Sequence, residues 1–158
     1  MGTHRHRIYF SKEEAMTIWF TPFTLEDLSA LMSNTMVDYV GIEFTEIGPD
    51  YLVAKMPVDK RTFQPFGIMH GGASCVLAET VASVAGACCL DQKIKMCVGL
   101  EINTSHVKMA RSGYVFGTAR ALHVGRSTQL WQIDIVNEKG QLISSSRLRL
   151  AVIDKAVA

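Results

Sequence analysis

The sequence predicts an α+β fold in which a curled antiparallel sheet wraps one long helix, and three observations carry that prediction. Gly71 to Leu90, apart from Glu79 and Thr80, is a run of small and apolar residues of helical length. Strand-like runs lie on both sides of it, without the strand–helix alternation that marks a parallel sheet. The last run alternates Leu148, Leu150 and Val152 with Arg147, Arg149 and Ala151, the period of a strand with one buried face.

The elements follow in order. Thr24 is placed to cap a helix through Leu25, Leu28, Leu31 and Met32, with Glu26 and Asp27 favourable at the positive end of its dipole. A short turn, Met36 to Val40, stops at Gly41. Ile42 to Ile47 and Tyr51 to Pro57 form a hairpin across Gly48-Pro49-Asp50, residues with strong turn chemistry. Residues 58–69, with Pro65 and Gly67, form the loop into the long helix. After it come Lys95 to Asn103, a short stretch around His106, Tyr114 to Val124 and Thr128 to Val136. A turn at Asn137-Glu138-Lys139-Gly140 leads into Leu142 to Ile153. An antiparallel sheet of this kind has an open face or edge, so self-association is expected.

At 158 residues the chain has single-domain length, and with 48% hydrophobic and 20% charged residues it falls among globular chains rather than disordered ones. Sixteen basic residues against fifteen acidic leave no field for general nucleic-acid binding, so any anion is held locally. Cys75, Cys88, Cys89 and Cys97 lack metal-ligand spacing and sit in apolar segments, as buried reduced thiols of a cytosolic protein would. Residues 1–23 carry charges before a short apolar patch at Ile18 to Phe20, the wrong order for a signal peptide. The run from Ala73 to Leu90 is long enough to raise a membrane span, but Glu79, Thr80, two serines and many small residues argue against it.

Glu79 is the anomaly. It lies in a helix predicted to be buried nearly all round, with no lysine or arginine on that helix to pair it, so the carboxylate must be hydrogen-bonded or face a pocket. Ser83, one turn on, can hold it or a water beside it. Gly71 and Gly72 open the helix, leaving free N–H groups that a ligand oxygen can approach closely. Gln64 and His70 flank that end, and a side-chain amide there supplies a second donor to developing negative charge. Two donors and an isolated carboxylate suit acyl hydrolysis, with Glu79 attacking the carbonyl or activating a water. The histidines show no metal-ligand spacing, and no G-x-S-x-G elbow is present.

Gln64-Pro65-Phe66-Gly67, His70-Gly71-Gly72-Ala73-Ser74 and Ala78-Glu79-Thr80 together resemble the active-site segment of the hotdog-fold acyl-CoA thioesterases, in the branch related to phenylacetate-pathway and 4-hydroxybenzoyl-CoA thioesterases. The resemblance runs from about Thr24 to Val152. With T-L-E-D-L from residue 24, N-T-M-V from 34, M-P-V-D from 56 and L-H-V-G-R from 122, the chain is most similar to the 1,4-dihydroxy-2-naphthoyl-CoA thioesterases of menaquinone biosynthesis. It implies that Glu79 is nucleophile or general base, that Gln64 and the Gly71 N–H polarise the thioester carbonyl, and that His70 and Ser83 support them. It implies a coenzyme A site at Gly99, at His106, Val107, Lys108 and Met109, and at His123, Val124, Gly125, Arg126, Ser127 and Thr128, with Lys108 and Arg126 on phosphate. Val107 and Lys108 depart from the family pattern, where relatives often carry a second basic residue and an arginine.

The resemblance further implies a hotdog domain over residues 24–158, preceded by an extension over 1–23 for which no role is assigned. Two protomers would build each active site, commonly within a homotetramer. The reaction would be cytoplasmic, with acyl-CoA as partner, no nucleic acid or membrane, and no cofactor beyond the coenzyme A of substrate and product. A broad-range medium- or long-chain acyl-CoA hydrolase and a non-catalytic acyl-CoA binding protein are the rival readings. A hotdog hydratase would want a differently placed acid–base pair.

Overall fold

The computed structural model describes residues 17–156; the expectations for residues 1–16 lie outside the described residues. Thr24 caps α1 (Leu25–Met32) through its side chain on the Asp27 N–H, and Asp27 returns the bond to the Thr24 backbone. The short α2 (Met36–Tyr39) is capped by Thr35 and followed by Gly41 at φ 77°. Then come β1 (Glu43–Ile47), β2 (Tyr51–Pro57), α3 (Gly71–Cys88), β3 (Lys95–His106), β4 (Tyr114–Val124), β5 (Thr128–Asn137) and β6 (Leu142–Asp154).

The strands make one antiparallel sheet in the order β1-β2-β4-β5-β6-β3, and α3 packs against β2, β3, β4, β5 and β6. This is the curled sheet round a central helix that defines the hotdog fold. The core lies between them: Leu77, Ala78, Val81, Ala82 and Ala85 of α3 meet Leu52, Met56, Val115, Trp131, Ile133, Leu148 and Leu150 of the sheet. On β5 the inward positions 129, 131, 133 and 135 are all buried, which fixes its register. Gln129 is a polar tie inside this core. It donates to the Gly86 carbonyl at 3.1 Å and accepts from the Trp131 indole at 3.0 Å, pinning the end of α3 to β5.

Three expectations need correction. The stretch around His106 is no separate element: β3 runs unbroken from Lys95 to His106, with a bulge between Gly99 and Glu101. The long helix is not buried all round. Its Leu77–Ala78–Val81–Ala82 face is sealed, while Cys75, Glu79, Thr80 and Ser83 are half-buried on another. Of the four cysteines only Cys88 is buried. Removal from water nevertheless raises the Cys88 and Cys89 thiols to about 11 and about 12, so both remain protonated at neutral pH.

Residues 17–23 are tied to the domain. Ile18 and Phe20 donate backbone bonds to Pro49 and Cys88, the Trp19 indole donates to the Gly48 carbonyl at 2.7 Å, and Phe23 packs edge-on against Trp19.

Candidate active site

The start of α3 is built to leave one donor open. Of its first-turn N–H groups, that of Gly72 donates to His70 Nδ1 at 2.7 Å, and those of Ala73 and Ser74 go to the His70 carbonyl. The Gly71 N–H has no partner among the described residues and stands at the positive end of the helix. Because His70 Nδ1 accepts, the ring carries its proton on Nε2, pointing outward as a donor.

Gln64 is oriented by its own loop. Its backbone N–H donates to the Ile68 carbonyl, its carbonyl accepts from Gly67, and its side-chain Oε1 accepts from the Phe66 N–H at 2.8 Å. With Oε1 engaged, the Nε2 hydrogens are the free end of the amide. Gln64 and Gly71 line one cleft of about 300 Å³ together with His106, Val107, Lys108 and Met109. The His106 ring lies so close to Gly71 that an added Cβ would meet its Nε2 at 2.9 Å. Ser74, which the sequence reading passed over, lines the same cleft with a buried hydroxyl that has no protein partner. Its position one turn after Gly71 was the available signal.

Glu79 is elsewhere. Ser83 donates to its Oε1 at 3.1 Å, as expected from their spacing, and Ser83 opens onto a second cleft of about 360 Å³. That cleft is walled by Phe23, Leu28, Leu31, Val84 and Cys97. The carboxylate lies over Gly99 of β3, where an added Cβ would stand 2.7 Å from Oε1. Gly99 therefore makes room for Glu79, a role distinct from the coenzyme A contact that the resemblance implied. We expect Gly99→Ala to swing the carboxylate aside, lowering kcat about tenfold while the thermal midpoint moves little, since a carboxylate end can yield where backbone cannot. Unchanged kcat would show that the position of the carboxylate is not held from below.

Gly71 and Glu79 are eight residues apart on α3, about 12 Å of rise, and Glu79 does not line the Gly71 cleft. One chain does not bring both to one carbonyl. The expected coenzyme A residues divide in the same way. Lys108 sits at the Gly71 cleft, while the turn from His123 to Thr128 lies at the far end of β4, roughly 30 Å away. That turn is close to Glu79 instead, since Thr128 pairs with Ala151 and Ala151 with Val98, next to Gly99. Neither Lys108 nor Arg126 has a carboxylate partner among the described residues.

A larger cleft, about 390 Å³ between α1 and β1, is lined by Glu26, Asp38 and Glu43, and its acidic wall would repel an anionic ligand. Among the described residues no group of three or more His, Cys, Asp or Glu could hold a metal. α3 is long and apolar enough to cross a membrane, but here it is the core helix, half buried under the sheet.

A helix laid in a curled antiparallel sheet, with an open N–H at its start and a carboxylate two turns on, defines the hotdog class of thioester hydrolases. The chain belongs to the thioesterase superfamily, whose family profile matches residues 66–144, and it is an acyl-CoA thioesterase. It is 52% identical over 136 residues to the 1,4-dihydroxy-2-naphthoyl-CoA hydrolase of Escherichia coli K12, an alignment covering 86% of this chain and 99% of that one. It is 47% identical over 137 residues to the proofreading thioesterase EntH of Cronobacter turicensis, covering 86% and 98%. The crystal structure of a thioesterase from Haemophilus influenzae superposes with a TM-score of 0.86 at 48% identity, covering 89% of this chain and 98% of that one.

Proposed function

We propose that the protein hydrolyses an aromatic acyl-CoA, best matched by 1,4-dihydroxy-2-naphthoyl-CoA, to the free acid and coenzyme A, in a site shared by two copies of the chain. The observation that carries the chemistry is the unpartnered Gly71 N–H beside the free amide end of Gln64 in one cleft. Together they form a donor pair for the oxyanion that develops when a thioester carbonyl is attacked. His70, with Nε2–H outward at the same helix start, supports the site as a further donor. Glu79, held by Ser83, comes from the second copy. As general base it takes a proton from water, the hydroxide adds to the carbonyl carbon, and the C–S bond then breaks with the proton passing to the thiolate. As nucleophile it forms an acyl-enzyme anhydride that water opens.

The negative charge of coenzyme A has a match in two loops: Lys108 of one copy and Arg126 of the other can converge on its phosphates only across two chains. β3 supports the pairing. It is a 12-residue strand at the sheet edge, with Met96, Val98 and Leu100 exposed along it and Ile94 exposed just before it. Antiparallel pairing of two β3 strands centred near Ile102 would set Gly99, and Glu79 above it, level with the second copy's Ser105 and His106. Met96, Val98 and Leu100, with Ile153 beside Met96, leave an apolar patch that fits a further pairing of dimers into a tetramer. In this reading the reaction is cytoplasmic, needs no metal or added cofactor, and serves menaquinone biosynthesis.

The test is kcat/KM by thiol release over dihydroxynaphthoyl-, benzoyl-, phenylacetyl- and straight-chain acyl-CoA. We expect a preference above about a hundredfold, roughly 2.7 kcal/mol, for the hydroxylated aromatic group. A flat profile would instead establish a broad-range hydrolase.

A further inference from the structure

Phe66 is the most exposed large hydrophobic side chain among the described residues, at 85%, and none of those residues covers it. Its backbone, however, is held by the loop. Its backbone N–H is bonded to Gln64 Oε1, Gly67 beside it turns the chain at φ 68°, and the Phe63–Met69 bridge closes the loop beneath. An aromatic ring left in water on a held backbone is favourably covered by a flat apolar group from outside the chain.

We infer that Phe66 is the aromatic wall of the acyl site, stacking on the acyl ring while Gln64 of the same loop holds the carbonyl. This rests on the two-copy reading of the site. The Phe66 backbone N–H orients the Gln64 amide, so the residue that carries the ring lies two positions along the loop from the donor that meets the thioester carbonyl. Glu79 and Ser83 of the second copy approach the same carbonyl, and beside Ser83 opens the cleft walled by Leu28, Leu31 and Val84. That cleft is mostly apolar, with Asp27 and Gln92 as well as Ser83 in its lining and no cationic residue, so it suits a hydroxylated aromatic acyl group, whereas the cleft with Lys108 suits the coenzyme A arm. Phe66 would close the acyl cleft of the second copy from above, giving a flat group an aromatic face on one side and aliphatic walls on the other. A two-carbon acyl group offers no flat face for the ring to stack on.

The experiment compares kcat/KM for benzoyl-CoA and acetyl-CoA in wild type, Phe66→Ala, Phe66→Leu and Phe66→Tyr, with oligomeric state followed by light scattering. Truncating the side chain leaves the backbone N–H on Gln64, so the amide keeps its orientation. The expected result is a benzoyl-to-acetyl ratio at least tenfold lower in Phe66→Ala, an intermediate fall in Phe66→Leu, and a ratio kept within about threefold in Phe66→Tyr. If Phe66→Ala lowers both substrates by the same factor, the ring serves the loop or the interface between copies, and the inference is overturned. The same holds if the only change is in assembly. A wild-type ratio near one would overturn the aromatic-substrate reading together with this inference, whereas a high wild-type ratio that Phe66→Ala leaves untouched overturns this inference alone.

Discussion

Glu79→Gln is expected to fold normally and to lose about 10³-fold in kcat, the scale of removing a positioned general base, while KM changes little. The fold should survive because the side chain is half-buried and its one protein bond, from the Ser83 hydroxyl to Oε1, can be accepted equally by the glutamine carbonyl. No cation pairs with Glu79 among the described residues, so none is left orphaned by the change. What disappears is basicity: an amide neither takes a proton from water nor attacks a carbonyl. Single-turnover thiol release with benzoyl-CoA, alongside thermal unfolding, checks both halves. Turnover within about tenfold of wild type would remove Glu79 from the chemistry, and a large loss of stability would make it a structural residue.

The sequence exposed Glu79 as a problem but misjudged its surroundings. Apolar residues all round a helix indicate that every face is eventually covered, without indicating by what. The sheet of the same chain covers Leu77, Ala78, Val81 and Ala82, whereas Cys75, Glu79 and Ser83 lie on the side towards the edge strand β3. Strand β3 itself was read as two pieces for a local reason. The bulge between Gly99 and Glu101 shifts the alternation of side chains, so the period before it and the period through Ser105 and His106 are out of phase. Local rules served better where the determinants are local: the Thr24 cap, the Gly48-Pro49-Asp50 hairpin and the alternation along β6 all form as predicted.

Gly99 and Phe66 show the limit from the other side. A glycine inside a strand signals close approach of something, and an aromatic residue in a loop signals contact with something, but the partner is three-dimensional information. Only in the fold does the Glu79 carboxylate appear above Gly99, and only there does the Phe66 ring stand uncovered beside Gln64. The split of the site is of the same kind. Nine positions separate His70 from Glu79 in the chain, and only the fold shows that the Glu79–Ser83 pair stands apart from the cleft of Gln64 and Gly71.

That split leads to the second large effect. Gln64→Ala removes one of the two oxyanion donors and should lower kcat by about 10²–10³-fold, and Glu79→Gln is as damaging, yet a mixture of the two inactive variants should be active. If each site takes Gln64 from one copy and Glu79 from the other, a mixed dimer holds one site with both residues intact and one with neither. Random exchange of equal amounts makes half of the dimers mixed, and half of their sites are whole, so activity should recover to roughly one quarter of wild type. The recovery should need subunit exchange: mixing under conditions that dissociate the dimer and then restoring it should give the full effect, while cross-linking each variant before mixing should abolish it. A site contained in one chain gives no recovery at any mixing ratio, because every chain in the mixture lacks one of the two groups. The measurement therefore separates a shared site from a self-contained one without knowledge of the natural acyl group, since any substrate that the wild type turns over will report it.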